Sequence, residues 1–390
     1  MSKAKSESPA SDAKNVVEGV LELCERKQPM LRNLKRHLVA RDDDVIISPE
    51  QVRRFGLRGG ELVVGRIEGR RNGARRLSRV QSINDVPVDD WLPPTPLNDT
   101  TAIDPHEALH FDTKGGPATM RILEMFTPIG RGQRGLIVAP PRTGKTILLQ
   151  QMAHGIATNH PDTHMIVLLI DERPEEVTDM RRNVNGEVIA SSNDLSVDSH
   201  VRVARLVIER ARRMVEMGKH IVILLDSITR LARAFNNFVS SSGRTMTGGL
   251  DIRALQEPKQ IFGSARNVEG GGSLTIIATA LIDTGSRADE FIFQEFKGTG
   301  NMEMVLDRDL ANQRIWPAMN LQLSGTRKEE KLLSEQTLDK VNMLRRQLYD
   351  LPPVKQMLTL LERMQPHDDL AGFLDSIQAQ QAGFGMRRRR

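Results

Sequence analysis

One stretch of the chain combines a buried strand, a tight loop and the start of a helix, and it constrains the fold more than any other. It reads Gly135-Leu-Ile-Val-Ala-Pro-Pro-Arg-Thr-Gly-Lys-Thr-Ile-Leu-Leu-Gln150. A loop that leads into a helix N-terminus points unpaired backbone N–H groups outward, and the helix macrodipole adds to their attraction for an anion. The stretch therefore predicts a phosphate-binding loop; the alternative is an ordinary strand-to-helix turn that carries a surface lysine.

The pattern G-x-x-x-x-G-K-[ST] is met here except at its first position, which is Ala139. Alanine is still small where the backbone turns out of the strand. Lys145 would then reach the β- and γ-phosphates of a nucleoside triphosphate, and the Thr146 hydroxyl would ligate Mg²⁺. The other nucleotide-binding candidates are residues on either side of Lys145 and Thr146, namely Arg142, Thr143, Gly144 and Ile147.

Continuous apolar runs recur after residue 121 and are separated by helical patterns. The predicted strands are Gly135–Ala139, Met165–Ile170, Ile221–Leu225 and Leu274–Ala280. One helix is predicted over Val201–Val215, where apolar residues repeat at spacings of three and four. Buried strands that alternate with helices are typical of a parallel sheet covered on both faces, so the fold class predicted for this part is α/β.

Acidic residues stand where two of these strands end, which is the edge at which open α/β sheets bind ligands. Asp226 closes the run Ile-Val-Ile-Leu-Leu-Asp and is the candidate carboxylate on the Mg²⁺ side; it could instead cap the next helix. Glu172 follows Asp171 and is the candidate that orients and deprotonates the attacking water. The alternative for Glu172 is a place in a solvated acidic loop.

Two residues further along the chain are candidates for the same chemistry. Arg327 follows a glycine turn, Ser324-Gly-Thr-Arg327, and could neutralise charge on the γ-phosphate bound by a neighbouring subunit; a surface salt bridge is the alternative. Trp316 is one of only two tryptophans and could stack on a nucleobase or fill the core.

The chain divides into segments of different composition. Residues 1–18 are predicted to form a disordered tail, and residues 19–92 a small all-β barrel, because short β-like runs recur there and Asn72-Gly73 is a strong hairpin signal. Three prolines within Trp91–Pro96 indicate a linker over 93–112. Residues 113–365 form the predicted α/β domain, and 366–390 a C-terminal segment that ends in four arginines.

Composition excludes several classes of protein. The longest apolar runs have about seven residues, far fewer than the roughly 20 that a membrane span needs. Cys24 is the only cysteine, which excludes an intramolecular disulfide and favours a reducing, cytoplasmic setting. The formal net charge is 55 minus 50, or +5, and four of those charges lie in Arg387–Arg390, so overall charge is weak evidence for nucleic-acid binding.

Several long strings resemble the bacterial transcription termination factor Rho family, whose members are ring-forming, hexameric, RNA-dependent ATPases of the RecA type. The strings lie between residues 128 and 330, and they include Leu169-Ile-Asp-Glu-Arg-Pro-Glu-Glu-Val177, Leu225-Asp-Ser-Ile-Thr-Arg-Leu-Ala-Arg-Ala234 and Ser324-Gly-Thr-Arg-Lys-Glu-Glu330. The resemblance implies ATP and Mg²⁺ as cofactors. It also implies a role for each candidate. Lys145 and Thr146 would bind phosphate and Mg²⁺, Asp226 would be the Walker B carboxylate, and Glu172 would be the catalytic base. Arg173 would be a γ-phosphate sensor, Arg327 the arginine finger supplied by the next subunit, and Trp316 the residue that stacks on adenine.

The same resemblance implies contacts with RNA. Loops around Arg244 and Arg287 are similar to those that line the central hole of the family's rings and grip the RNA backbone, and Lys297 matches a further pore element. Residues 19–58 resemble the family's RNA-capturing OB-fold, within which Arg53 and Arg54 are candidate RNA contacts. Aromatic residues that stack on RNA bases in the family are replaced here by Lys27-Gln-Pro-Met30 and by Leu38.

Loss of stacking predicts a front module that binds RNA through phosphate contacts with little base preference; a solvated basic face is the alternative. The resemblance implies an ATP-dependent RNA translocase or helicase that terminates transcription as a homo-hexamer and engages RNA polymerase. A second interpretation is a Rho-like paralogue that regulates by binding RNA or a full-length Rho. A third, a RecA-fold ATPase of rotary or DNA-handling type, fits the nucleotide site but not the strings.

Overall fold

Two separate β-sheets organise the chain, a small one near the N-terminus and a larger one after it. The structure is a computed structural model that describes residues 15–24, 27–71, 74–239 and 249–377, and within these ranges it leaves out the side chains of residues 68–71, 74 and 252. In this part of the chain, no helix is both long and apolar enough to cross a membrane.

The small sheet curls into a barrel. Its strands are β1 (Val16–Glu22), β2 (Met30–Arg32), β3 (Val45–Ile46), β4 (Leu62–Arg71), β5 (Ala74–Ile83) and β6 (Val86–Pro87). They pair in the order β3-β2-β1-β4-β5-β6, and β3 also pairs with β5, which closes the barrel. The predicted all-β, OB-fold-like module is therefore confirmed. The Asn72-Gly73 turn lies outside the described residues, although Arg71 and Ala74 on either side of it are paired.

One short helix, α1 (Pro49–Arg54), follows β3 and carries the predicted RNA contacts Arg53 and Arg54. The Ser48 hydroxyl accepts a hydrogen bond from the Gln51 amide at 3.1 Å, and the Gln51 side chain accepts one from the Ser48 amide at 3.2 Å. This reciprocal capping satisfies two N–H groups that a helix start otherwise leaves unpaired, which explains why the helix begins at Pro49.

The ends of the front module differ from the predicted boundaries. Strand β1 begins at Val16, so residues 16–18 belong to the barrel and not to a disordered tail; residues 1–14 lie outside the described part. Within the predicted linker 93–112, two short strands attach the chain to the large domain. They are β7 (Ala102–Ile103), which pairs with β14 (Arg266–Val268), and β8 (Ala108–Leu109), which pairs with β9 (Ile129–Gly130).

The large sheet is mostly parallel. Its main strands are β10 (Arg134–Ala139), β11 (Thr163–Ile170), β12 (Glu187–Ser191), β13 (His220–Asp226), β15 (Ser273–Leu281), β16 (Met302–Val305) and β17 (Gly325–Thr326). They are ordered β12-β11-β13-β15-β10-β16-β17, and only β17 runs antiparallel to its neighbour on this path. All four predicted buried strands are present, each longer than predicted by one or two residues, so the predicted α/β class is confirmed.

Helices cover both faces of this sheet. They are α2 (Ala118–Phe126), α3 (Lys145–Asn159), α4 (Pro174–Asn183), α5 (Val197–Glu216), α6 (Ile228–Phe238), α7 (Gln256–Gly263), α8 (Arg287–Lys297), α9 (Arg308–Asn312), α10 (Glu335–Leu348) and α11 (Pro353–Met364). Along β10, Ile137 and Ala139 join the core on one face, and Leu136 and Val138 join the core on the other. Side chains of a strand point alternately to opposite faces, so a strand apolar at every position requires this double cover.

The described part of the predicted C-terminal segment 366–390, which is residues 366–377, packs as part of the large domain. Residues 370–377 are helical, and Phe373 and Ile377 are buried in the same core as α2 and α3. Arg121 of α2 also donates a hydrogen bond to the backbone oxygen of His367. The four terminal arginines lie outside the described residues.

Candidate nucleotide-binding and catalytic site

The predicted phosphate loop lies between β10, which ends at Ala139, and α3, which begins at Lys145. Gly144 has a φ of 80°, in the left-handed region that favours glycine, and Arg142 adopts φ 67° there as well. The buried hydroxyl of Thr143 donates to the backbone oxygen of Pro140 at 2.7 Å, which braces the loop from within. The unpaired N–H groups of the first helical turn therefore lie at the end of a fixed loop, as an anion site requires.

Lys145 is held between two carboxylates at the edge of the sheet. Its ammonium nitrogen is 2.5 Å from Oδ1 of Asp226 and 3.6 Å from Oε2 of Glu172. The same Asp226 oxygen accepts a hydrogen bond from the Thr279 hydroxyl at 2.8 Å. Residues predicted separately as phosphate, metal and base positions are thus brought together where three strands, β10, β11 and β13, end.

Glu172 is buried, with 2% of its surface exposed, as is Asp226, with 1%. Its Oε2 atom has no hydrogen-bond partner in the described part of the chain. Burial, and then the negative charge of Asp226, raise the pKa of the Glu172 carboxyl, while the positive charges of Lys145 and Arg230 oppose that rise. An acid with a raised pKa and a vacant oxygen suits a group that must accept a proton from water.

Arg230 is a site residue that the sequence reasoning did not assign. It lies in the first turn of α6, four residues after Asp226, where Nη2 is 3.2 Å from Oε1 of Glu172. The same guanidinium donates to the backbone oxygen of Asp171. Its position in the string from Leu225 to Ala234 was the available signal, but 58 residues separate it from Glu172 and sequence spacing does not reveal that contact.

Trp316 lies beside the phosphate loop at the mouth of an apolar cavity of about 320 Å³, which Ile147, Leu123 and Met319 also line. The indole is 42% exposed, so it does not fill the core. A Cβ added to Gly144 would lie 2.6 Å from the indole ring, which shows that ring and loop are in direct contact. The cavity offers a flat, aromatic-walled space for a planar base next to the phosphate loop.

The other predicted site residues that the structure describes lie outside the cluster of Lys145, Glu172 and Asp226, and of these Arg173 borders it. Arg173 is exposed at the N-cap of α4, adjacent to Glu172. Arg287 is exposed at the start of α8, and Lys297 ends the same helix. Arg53 and Arg54 are exposed on the barrel, the Arg54 guanidinium 5.3 Å from the centre of the Phe55 ring. The predicted pore contact Arg244 lies outside the described residues.

Arg327 lies at one end of the parallel strands, and the phosphate loop of the same chain lies at the other end. It directly follows β17, in which Thr326 pairs with Met302, and Met302 in turn pairs with Gly135 at the start of β10. The four residue steps from Gly135 to Ala139 span about 13 Å. The Arg327 guanidinium therefore cannot serve the phosphate loop of the same chain.

Comparisons with known proteins agree with this architecture. Residues 17–89 match the Rho termination factor RNA-binding domain, and residues 119–326 match the nucleotide-binding domain of the ATP synthase alpha/beta family. Transcription termination factor Rho of Cereibacter sphaeroides is 50% identical over 92% of this chain and 86% of its own length. The chain belongs to the transcription termination factor Rho family.

Other relatives and one solved structure support the same placement. The Rho of Thermotoga maritima is 47% identical over 94% of this chain and 86% of its own length, and that of Rhodopirellula baltica is 48% identical over 93% and 72%. A solved ATPase from the type III secretion system of pathogenic bacteria shares the fold at a TM-score of 0.60, with 18% identity over 81% of this chain and 94% of that one. This Rho-family chain is accordingly a nucleotide-binding, ATP-hydrolysing enzyme with an RNA-binding domain in front of its ATPase domain.

Proposed function

We propose that this Rho-family chain is an ATP-driven RNA translocase that assembles into a homo-hexameric ring, threads RNA through its centre and terminates transcription in the cytoplasm by engaging RNA polymerase. The proposal rests on one observation, which is that the residues of the proposed catalytic set lie at two separate places in the fold of a single chain. Lys145, Glu172 and Asp226 meet at the carboxyl ends of the parallel strands, and Arg327 lies near their amino ends. Such a site is complete only between two copies of the chain.

The proposed reaction begins with water held by Glu172. As this water attacks the γ-phosphate of ATP and the bond to the leaving ADP breaks, Oε2 of Glu172, which has no hydrogen-bond partner among the described residues, accepts a proton from the water. The proton stays on Glu172 until solvent removes it. Before this step, as ATP binds, Lys145 exchanges its carboxylate partners for phosphate oxygens. Arg173 and, from the neighbouring copy, Arg327 neutralise charge that develops on the transferred phosphoryl group.

Thr146 and Asp226 offer a hydroxyl and a carboxylate, the hard oxygen ligands that Mg²⁺ prefers. Among the described residues no group of three or more His, Cys, Asp or Glu could hold a metal, which suits an ion that takes its remaining ligands from phosphate and water. When bound, Mg²⁺ would neutralise phosphate charge, and Thr279 would orient Asp226 toward it.

RNA contacts in this proposal rely on phosphates. Arg287 is proposed to contact RNA in the pore, the role that the resemblance also implies for Arg244, while Arg53 and Arg54 are exposed on the barrel. Guanidinium groups bind phosphate oxygens without reading base sequence. Such contacts suit a motor that must move along any transcript.

ATP turnover with and without RNA tests the proposal, together with the mass of the assembly in solution. The chain is expected to form hexamers and to hydrolyse ATP faster when RNA is present, and Lys145→Ala is expected to remove turnover. Arg287→Ala is expected to keep basal ATP hydrolysis and lose RNA stimulation. A chain that binds RNA or another Rho but hydrolyses no ATP would instead be a regulatory paralogue.

A further inference from the structure

His200 is a buried histidine beside the catalytic cluster, and it has no role in the reaction as proposed. It lies in the first turn of α5, and 5% of its surface is exposed. Its Nδ1 atom is 2.8 Å from the hydroxyl oxygen of Ser191, and its Nε2 atom is 4.0 Å from Oδ1 of Asp171. Asp171 directly precedes Glu172, the proposed base. The ring therefore connects helix α5 to the turn that carries the base.

The backbone at Asp171 adopts a conformation that its surroundings must hold. Its φ is 56°, in the left-handed region that residues other than glycine adopt at a cost. The Asp171 amide donates to the backbone oxygen of Ser191 at 2.8 Å. The Asn193 amide donates to the backbone oxygen of Glu172 at 3.0 Å, and Arg230 donates to that of Asp171. The direction of the Glu172 side chain thus depends on how firmly these contacts hold the turn.

The position of the proton on His200 follows from the two partners of the ring. Burial lowers the pKa of His200 although the carboxylates of Asp171 and Asp194 oppose this, so the ring is neutral and carries one proton. A carboxylate only accepts hydrogen bonds, so the proton is placed best on Nε2, which faces Asp171. Nδ1 then accepts from the Ser191 hydroxyl, whose oxygen is also 3.3 Å from that of Ser199. The serines therefore fix which nitrogen points at Asp171.

The Asp171 carboxylate lies between His200 and Arg230. Its Oδ2 atom is 3.7 Å from Nη1 of Arg230, and Nη2 of the same guanidinium is 3.2 Å from Oε1 of Glu172. Without the ring, Asp171 would have Arg230 as its remaining cationic partner among these contacts. Movement of that guanidinium toward Asp171 would take it away from Glu172. A change at His200 can therefore reach the base through Asp171.

We propose that His200 is a positioning residue for ATP hydrolysis: its Nε2–H holds the Asp171 carboxylate and so fixes the turn that directs Glu172 toward the attacking water. The contact with Ser191 orients the ring for this purpose. The proposal rests on the proposed role of Glu172 as the base. His200 gains and loses no proton during the reaction.

Two substitutions in the full-length chain separate the two contacts of the ring. His200→Asn places an amide where Nδ1 lies, so it keeps the contact with Ser191 and does not reach Asp171. His200→Gln is longer by one methylene and places its amide where Nε2 lies, so it keeps the contact with Asp171 and gives up Ser191. The matched control is His220→Ala. His220 is also a half-buried histidine next to a serine, with Nδ1 3.0 Å from the Ser273 hydroxyl oxygen, but it lies at the start of β13.

Turnover is measured per site that binds a fluorescent ATP analogue, so that unfolded molecules do not contribute. His200→Asn is expected to lower kcat roughly tenfold to hundredfold, because a displaced base loses its alignment with the water. The KM for ATP and the affinity for the analogue are expected to stay within about twofold of the wild type, since the groups that bind nucleotide are unchanged.

His200→Gln is expected to recover much of this turnover. It is also expected to unfold at a lower urea concentration than His200→Asn, because the buried Ser191 hydroxyl loses a partner. His220→Ala is expected to keep the turnover of the wild type.

Two results overturn the proposal. Turnover in His200→Asn that equals or exceeds that of His200→Gln would leave His200 with only its structural contact to Ser191. A loss of ATP affinity in step with the loss of kcat would show that His200 acts on nucleotide binding. Failure of the proposed role of Glu172 looks different, because Glu172→Gln would then keep near-normal turnover.

Discussion

The environment of Glu172 determines the pH at which the site works. Since burial and Asp226 raise the pKa of its carboxyl above the ordinary value of 4.5, the proton-accepting form is lost at a higher pH than for an exposed glutamate. Turnover is therefore expected to fall on the acid side before the protein loses its other carboxylates. Glu172→Gln is expected to lower turnover about 10²- to 10⁴-fold while nucleotide binding persists.

A pH–rate profile and a fluorescent ATP-analogue titration check this. Because the amide of glutamine cannot accept the proton from water, residual turnover in Glu172→Gln should show no acid limb. Near-normal turnover in that variant would mean that another group activates the water.

Arg230 provides a second prediction at the scale of one residue. Its positive charge 3.2 Å from Glu172 favours the ionised carboxylate, so Arg230→Ala removes an influence that lowers the Glu172 pKa. The acid limb of the turnover profile is expected to move to higher pH, and Arg230→Lys is expected to restore part of the shift. An acid limb that stays in place in Arg230→Ala would contradict the assigned coupling.

Single residues were predictable from the sequence where a local pattern carries their chemistry. Lys145 follows from the phosphate-loop pattern and Asp226 from its place at the end of an apolar run. Arg230 and Thr279 were not predictable, because their roles arise from contacts between strands and helices that are distant in the chain. Leu38 stands where the resemblance places an aromatic residue that stacks on RNA, yet it is fully buried.

At the scale of elements, helix α5 attaches the barrel to the ATPase domain. Near its end, Glu216 accepts a hydrogen bond from the Leu97 amide at 2.8 Å and pairs with Arg58 of the barrel at 2.7 Å and with Arg213 at 3.2 Å. The Glu216 side chain is fully buried. A Cβ on Gly60, which has a φ of 90°, would lie 2.4 Å from the backbone of Glu209 in the same helix, so the two domains touch without space between them.

Glu216→Ala is expected to reduce the free energy of unfolding by about 3–5 kcal/mol, because it leaves the buried Arg213 and the half-buried Arg58 without their shared partner. Urea unfolding followed by circular dichroism measures the loss. The control is Glu209→Ala on the same helix, whose more exposed ion pairs are worth about 1 kcal/mol or less. Equal losses in the two variants would refute a special role for Glu216.

Elements differ in how well the sequence predicts them. The long strands β11, β13 and β15 were predictable because β11 and β13 contain uninterrupted apolar runs of six and five residues and β15 is apolar from Leu274 to Leu281 except for two threonines. Strands β7 and β8 have only two residues each, which is too short for any periodicity. They form because the chain that leaves the barrel pairs with short strands of the ATPase domain. This pairing depends on the three-dimensional fold, so the proline-rich sequence of the segment does not reveal it.

At the scale of the whole molecule, apolar side chains of the barrel pack against the ATPase domain. Val20 and Leu38 are buried in the core that includes helix α5 and strand β13. These side chains secure the barrel on the ATPase domain and are not available to RNA. What remains open along β2 and the residues before it is largely polar, with Lys27 and Gln28 exposed and Met30 half-buried.

The burial of these apolar side chains and the polar character of the exposed surface predict how the assembled protein selects RNA. Without aromatic partners for the bases, binding is expected to depend on phosphate contacts, so that C-rich and A-rich RNA bind within a few-fold of each other and affinity falls steeply with salt. Met30→Phe is expected to add a stacking surface and to strengthen binding by about 1–3 kcal/mol at 0.3 M salt, where phosphate contacts are weakened. Leu38→Phe, the matched control, changes a buried position and is expected to lower stability without any gain in affinity. Fluorescence anisotropy over a salt series measures all three proteins; a strong preference of the wild type for C-rich RNA at physiological salt would show that bases are read without aromatic residues.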